Sequence, residues 1–357
     1  MFVFVSLDGL FEKFIGLNLI QMRKTFTLFL LLVLGTATIK AQDIHFSQFW
    51  ASPLTLTPAN AGNFDGSYRG GIIYRSQWAS FSPYKTFSAF YDMNLGKGLA
   101  IGDALSGGIV FYYDKAGDLP FTTTTINLNG AYHKAFGLEN RLSIGLQVGY
   151  NQKKLDMTSI QFADMFQTAD GDFTGITSEL LAADPSVSGV DFSAGVAFTR
   201  LINSNLSANI GIGALHLTKP EEDFIPNGTV GELGRRYTAN AGVNYKLNEK
   251  ISINPKVLYM NQTKAQEISL GSDVGYKLEN EKFPATVYGG LWYRHNDAVI
   301  PYVGMDYKGF RFGFSYDVNV SSLTVASNGN GGFEISLIYI GKIVSAPPTI
   351  IVPCIRF

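Results

Sequence analysis

The sequence predicts an all-β fold, a single transmembrane antiparallel barrel of about fourteen strands. Three observations carry that expectation. From about Tyr68 to the end, apolar residues alternate with small or polar ones at period two, as they must on strands with two unlike faces. No run of 18 apolar residues is present to cross a bilayer as a helix, and a spanning chain without one must close its backbone hydrogen bonds in a barrel. The chain also carries 18 tyrosines, 27 phenylalanines and 38 glycines with only 16% charged residues. That composition suits interfacial aromatic girdles and a crowded lumen wall.

The first element is a targeting segment. Arg23 and Lys24 precede an unbroken apolar run, Phe26 to Leu34, and Ala41 supplies a small residue for cleavage before Gln42. This is the pattern of a secretory signal peptide, with an apolar run about half the ~20 residues of a membrane span. Residues 1–21 read as an upstream extension, with Met22 as the expected start. The single cysteine, Cys354, can close no intrachain disulfide. Removing residues 1–41 takes four basic and two acidic residues from 28 and 29, which leaves 24 and 27, net −3. A general nucleic-acid binder would carry the opposite excess.

Residues 42–66, "QDIHFSQFWASPLTLTPANAGNFDG", form a second element, expected as an N-terminal periplasmic segment. They are too aromatic for a free tail, and Pro53 and Pro58 keep them out of a sheet. Phe46, Phe49, Trp50 and His45 are then candidates either to plug the barrel's periplasmic mouth or to bind a periplasmic partner.

The barrel is expected over 67–341. Its strands are predicted at 67–76, 85–95, 105–114, 121–133, 140–152, 187–200, 205–216, 235–246, 250–260, 264–276, 284–295, 298–308, 309–320 and 331–341. In "LSIGLQVGY", for example, Leu142, Ile144, Leu146, Val148 and Tyr150 share one face against Ser143, Gly145, Gln147 and Gly149. A small polar face suits the inside of a barrel whose apolar outside meets outer-membrane lipid. Connections after even-numbered strands are mostly short, whereas 153–186, 217–234 and 321–330, after odd-numbered strands, are long. Such asymmetry places both termini in the periplasm and the long loops outside the cell.

Chemistry-bearing motifs are sparse. GxxxxGK[ST], CxxC and HExxH are absent, and the four histidines fall in no recognisable nucleophile context, so neither catalysis nor a cofactor is expected. Loop 153–186 is acidic, and its "DGD" matches no complete calcium motif. The same loop carries Phe162, Phe166 and Phe173, more apolar content than a free loop needs, and is a candidate lid or partner surface. The lumen-parity charges Asp191, Lys256, Arg311, Asp317 and Glu334 fit either a conduction path or structural pairing. After the last strand, the tail 342–357 contains Pro347, Pro348 and Pro353, which hold it extended and outside the sheet. Its run Thr349–Val352 could add to a partner or plug the barrel mouth.

The start "HFSQFWASPLTLTPANAG", which contains Gln48, resembles the mature N-terminus of the PorP/SprF family of the Bacteroidota type IX secretion and gliding system. "YRGGIIYRSQWASF" is similar to that family's first strand and loop through Arg75, Gln77 and Trp78. The ending Pro353-Cys354-Ile355-Arg356-Phe357 resembles its Cys-Pro-Arg-Phe tail, with Ile355 where proline is usual. The resemblance implies a non-enzymatic outer-membrane barrel that binds a secreted adhesin or cargo C-terminal domain, or periplasmic secretion components. A passive porin or small-molecule transporter is the alternative reading, and an outer-membrane lipid hydrolase a third.

Overall fold

Alternation puts successive side chains on opposite faces, and in the computed structural model those faces are the two sides of one closed wall. The structure describes residues 43–343 except 79–82, 99, 101, 118–120, 156–162, 168–170, 174–184, 223–230, 281 and 322–323. The expected signal segment and the tail beyond Ile343 lie outside the described residues.

Fourteen strands close the wall. They are β1 (Tyr68–Gln77), β2 (Tyr84–Lys97), β3 (Ala104–Ala116), β4 (Phe121–Phe136), β5 (Asn140–Leu155), β6 (Ser186–Asn203) and β7 (Leu206–Leu215). The circuit continues through β8 (Arg236–Lys246), β9 (Ile251–Gln262), β10 (Ala265–Lys277), β11 (Ala285–Arg294), β12 (Ala298–Tyr307), β13 (Phe310–Asn319) and β14 (Asn330–Gly341). Every neighbour in sequence is an antiparallel neighbour in space, and β1 pairs with β14 from Tyr68↔Gly341 to Gln77↔Gly332 to complete the circle. An even strand count is what lets such a meander close antiparallel. The strand number agrees with the sequence expectation. β4, β5 and β6 run longer than predicted, at 16, 16 and 18 residues, because hydrogen-bonded pairing continues past the stretch of strict alternation.

Register fixes which face meets which medium. On β5, Ile144, Leu146, Val148 and Tyr150 face outward and are exposed, while Ser143 and Gln147 are buried in the lumen. On β13, Phe310, Phe312 and Phe314 face outward, whereas Ser315 and Asp317 face in. This is the apolar-out, polar-in arrangement of a membrane barrel. No described helix is long and apolar enough to cross a membrane, which says nothing of strands.

The two rims differ. Between β12 and β13 the chain reverses in two residues, Lys308 and Gly309, both at positive φ (49° and 86°). This is the geometry that matches strand twist in a two-residue hairpin, and glycine adopts it without Cβ strain. β6 and β7 are joined by two residues, and β4 and β5 by three. At the other rim, the connections after β5, β7 and β13 are the long ones. We refer to these as the short-turn end and the long-loop end; β1 starts and β14 finishes at the former.

Candidate functional site

Apolar side chains are rare at lumen-facing positions, yet several are fully buried there: Ile73, Phe90, Val110, Leu258, Trp292 and Ile300. They meet residues 43–66, which run along the inside of the barrel rather than across one mouth. Asp43 sits among Gln262, His216 and Arg236 at the long-loop end, and Asn63 reaches Thr199 near the short-turn end. The expectation of a segment at the mouth is corrected in this respect. Its backbone finds donors and acceptors along the whole wall, so the interior is the place that satisfies it.

Pro53 and Pro58 each open a short 3₁₀ turn, Pro53–Thr55 and Pro58–Asn60, where their fixed φ fits and their missing N–H costs nothing. With Phe49–Ala51 these turns fold the segment into a compact thread. Phe46, Ala51 and Leu54 pack on Ile73, Phe90, Val110 and Ile338. Phe49 and Leu56 pack on Leu258, Trp292, Ile300 and Tyr302. Trp50 stacks on Trp292 at 4.2 Å between ring centroids and meets Tyr302 edge-on at 5.3 Å. Each fully buried Phe or Leu contributes about 1.5–3 kcal/mol. The fit is close at two glycines. A Cβ on Gly145 would lie 2.3 Å from Pro58 C and Ala59 N, and one on Gly195 would collide with the Thr57 hydroxyl.

The polar contacts form three groups. In the first, the backbone N–H groups of Ser47 and Gln48 donate to the two Glu334 carboxylate oxygens at 2.9 and 2.7 Å. Arg75 donates to Glu334 at 3.1 Å, to Asp317 at 2.9 Å and to the Ser47 hydroxyl. Arg294 bonds Asp317, Ser47 and, at 2.6 Å, Asp297. Two guanidinium groups and two carboxylates, all buried, thus enclose one serine, an arrangement tolerable only because every charge is paired. His45 lies 3.9 Å from Glu267 beside this group. Burial pushes its imidazole down to about 4, with the Glu267 carboxylate opposing and the Arg75 and Arg294 charges reinforcing the shift.

In the second group, the Asp43 backbone N–H donates to Gln262 at 2.9 Å, and its carboxylate meets His216 Nε2 at 2.5 Å and Arg236 at 3.4 Å. His216 Nδ1 faces Asp191 at 2.7 Å, so the imidazolium, with a proton on each nitrogen, satisfies both carboxylates. Burial would raise the Asp43 carboxyl, and the neighbouring His216 and Arg236 charges outweigh it, holding the group well below the carboxylate range. Arg236 also donates to the carbonyls of Ile44 and Thr55 at 3.0 and 2.9 Å.

The third group holds the segment's far end. Arg69 grips Asp92 bidentately at 3.0 and 2.7 Å, and Asp92 accepts the Gly62 N–H at 2.7 Å. His133 Nε2 donates to the Ala61 carbonyl at 2.9 Å, which leaves Nδ1 to accept from Ser143 at 2.6 Å. That Ser–His pair is buried under the segment and binds backbone, so its role is anchorage. The lumen charges Asp191, Lys256, Arg311, Asp317 and Glu334 are all paired, Lys256 with Asp273 at 3.0 Å and Arg311 with Asp306 at 2.5 Å. Among the described residues no group of three or more His, Cys, Asp or Glu could hold a metal ion.

Below the segment, at the short-turn end, a cavity of about 700 Å³ remains. Its floor is Phe49, Trp50, Pro53 and Leu56, and its walls carry Asn140, Asn209, Asn240 and Lys256.

A family model described as type IX secretion system membrane protein PorP/SprF matches residues 38–339, most of the chain. The chain belongs to this family. No curated protein matches it in sequence. Among solved structures, the toluene transporter TbuX of Ralstonia pickettii is similar over 82% of this chain and 94% of its own, with 11% identity and a TM-score of 0.49. The toluene transporter TodX of Pseudomonas putida covers 77% and 88%, with 10% identity and a TM-score of 0.46. At those values the likenesses carry no argument about function.

The positions singled out in the PorP/SprF-like sequence fall in three places. His45, Phe46, Gln48, Phe49, Trp50, Pro53, Pro58 and Arg75 are together inside the lumen. Gln77 ends β1, and Trp78 follows at positive φ (48°), its N–H bonded to the Gly331 carbonyl and its ring edge-on to Tyr84 at 5.3 Å. Phe166 and Phe173 are exposed on the β5–β6 connection and pair edge-on at 5.1 Å, apart from the lumen group. Phe162, Pro353, Cys354, Arg356 and Phe357 lie outside the described residues. Sequence reasoning missed Arg294, Arg236, Asp43, His216 and the Arg69–Asp92 pair as parts of the site. The available signal was a set of opposite charges at lumen parity near the ends of different strands.

Proposed function

We propose that this PorP/SprF protein is a non-enzymatic outer-membrane component of the type IX secretion system that works by binding other proteins. The observation that supports this reading is the filled lumen. A solute porin needs an open path, whereas residues 43–66 occupy this one with paired charges and two apolar clusters. By the usual polarity of bacterial barrels, the short turns would face the periplasm and the long loops the exterior. The partners in this reading are a secreted adhesin or cargo domain at the long loops, or periplasmic machinery subunits at the short-turn end.

Two measurements test it. Affinity purification of the full chain from native membranes should recover secretion components or a surface protein, and deletion of the gene should abolish surface display of that partner. Normal surface proteins in the deletion strain, with the barrel purifying alone, would overturn the reading. In planar bilayers the intact barrel should conduct little, and a chain lacking residues 43–66 should conduct strongly; high conductance by the intact chain would favour a porin.

A further inference from the structure

The barrel interior is already a peptide receptor. Guanidinium, hydroxyl, imidazole and carboxylate groups of the wall bind backbone carbonyls and N–H groups of the segment from Ile44 to Gly62. The cavity at the short-turn end continues that receptor without a described occupant. Its apolar floor is made by the segment's own Trp50, Pro53 and Leu56, and its walls by the carboxamides of Asn140, Asn209 and Asn240 together with the charged Asp65, Arg69, Glu139, Arg141 and Lys256. One wall group, the Asn240 carboxamide oxygen, is buried without a hydrogen-bond partner. Such a site suits a short extended stretch that is apolar in its side chains and leaves its backbone groups unpaired.

We propose that the occupant is the chain's own tail, residues 344–357. Three observations select it. The chain leaves β14 at this end, and its next residues run along the cavity rim: Lys342 pairs with Asp65 at 3.0 Å, and the Ile343 N–H donates to Ser67 at 2.9 Å. Asp65 itself lines the cavity. The tail has the required chemistry, since Pro347, Pro348 and Pro353 bar it from a sheet and Ile350, Ile351 and Val352 suit the apolar floor. Its length is sufficient. Fourteen strands about 4.8 Å apart and tilted about 40° give a wall radius of about 14 Å. The seven residue-to-residue steps from Ile343 to Ile350 span up to roughly 23 Å when extended. A volume near 700 Å³ admits a few residues and no folded domain.

The single native thiol makes this directly testable, because Cys354 is the only cysteine. In the full-length folded barrel, maleimide labelling of Cys354 should be at least ten-fold slower than in the unfolded chain. Asn209→Trp, which fills the cavity, should restore the fast rate in a barrel that still resists SDS at room temperature. Independently, Ser207→Cys should form an intrachain link to Cys354, and Phe166→Cys, at the long-loop end, should not. Fast labelling of the native barrel overturns the proposal. So does a link from Ser207→Cys only to a second copy or another protein, or equal linking from both positions. Should Asn209→Trp fail to fold, the native labelling rate and the two cysteine variants still decide.

Discussion

The two ends of the lumen hold the same segment by different means. Toward the long-loop end, Ser47 and Gln48 are clamped by Arg75, Arg294, Asp317 and Glu334, all buried and mutually paired. Toward the short-turn end, the segment is held chiefly through backbone contacts to His133, Arg69 and Asp92, and a cavity opens beside it. Buried charges are costly to separate, so the first half is built to stay shut. The second half also holds a buried pair, Arg69 with Asp92, but the cavity beside it leaves the segment less enclosed there.

The largest expected effect comes from breaking the charged half. Glu334→Ala leaves the N–H groups of Ser47 and Gln48 without their acceptor and Arg75 with Asp317 as its one remaining carboxylate in a buried site, at a cost of about 3–5 kcal/mol. The folded barrel should convert to the unfolded form at a clearly lower temperature, with raised bilayer conductance. Unchanged values in both would mean that the clamp does not hold the segment.

Gly145→Val attacks the other half by volume alone. With Pro58 C 2.3 Å from the new Cβ, the turn Pro58–Asn60 must move, which costs about 1–3 kcal/mol. The comparison predicts increased protease access near Asn60 while the Glu334 cluster stays intact. Equal loosening at Ser47, read by the same cleavage mapping, would show that the two halves are one cooperative unit.

Acid should act on the charged half through His45. Its folded pKa of about 4 lies below the ordinary 6.5, so the neutral ring belongs to the native state. Protons bind the unfolded chain more readily across that window. The contribution is therefore complete above pH 6.5 and is lost as pH falls toward 4. Conductance should rise between pH 7 and 4.5, and His45→Gln should flatten the response; an identical rise in that variant would assign the effect to another group.

The smallest effect is at the rim. The Lys342–Asp65 pair is exposed, and such pairs contribute little. Lys342→Ala should leave barrel stability unchanged while speeding Cys354 labelling several-fold. A stability loss as large as that of Gly145→Val would make the rim part of the fold rather than a guide for the tail.

The barrel was legible because a membrane wall has only two media to satisfy, and period-two alternation records both along every strand. The clustering of the segment's residues was not legible. Arg75, Arg294, Asp317 and Glu334 come from β1, β11, β13 and β14, and only closure of β14 on β1 brings the first and last of these strands together. One trace was readable all the same. Ile73, Phe90, Val110 and Leu258 are apolar at lumen positions, which makes sense only if something apolar lies against them.

By itself, then, the sequence determined the strand number, the facing of each strand, the family and the exclusion of residues 42–66 from the sheet, because those follow from local periodicity, proline and motif. Tertiary structure alone decided where that segment goes. A chain's path through a lumen depends on which wall groups lie opposite one another after closure. Those pairings join residues up to 288 positions apart, as Gln48 and Ser336 are.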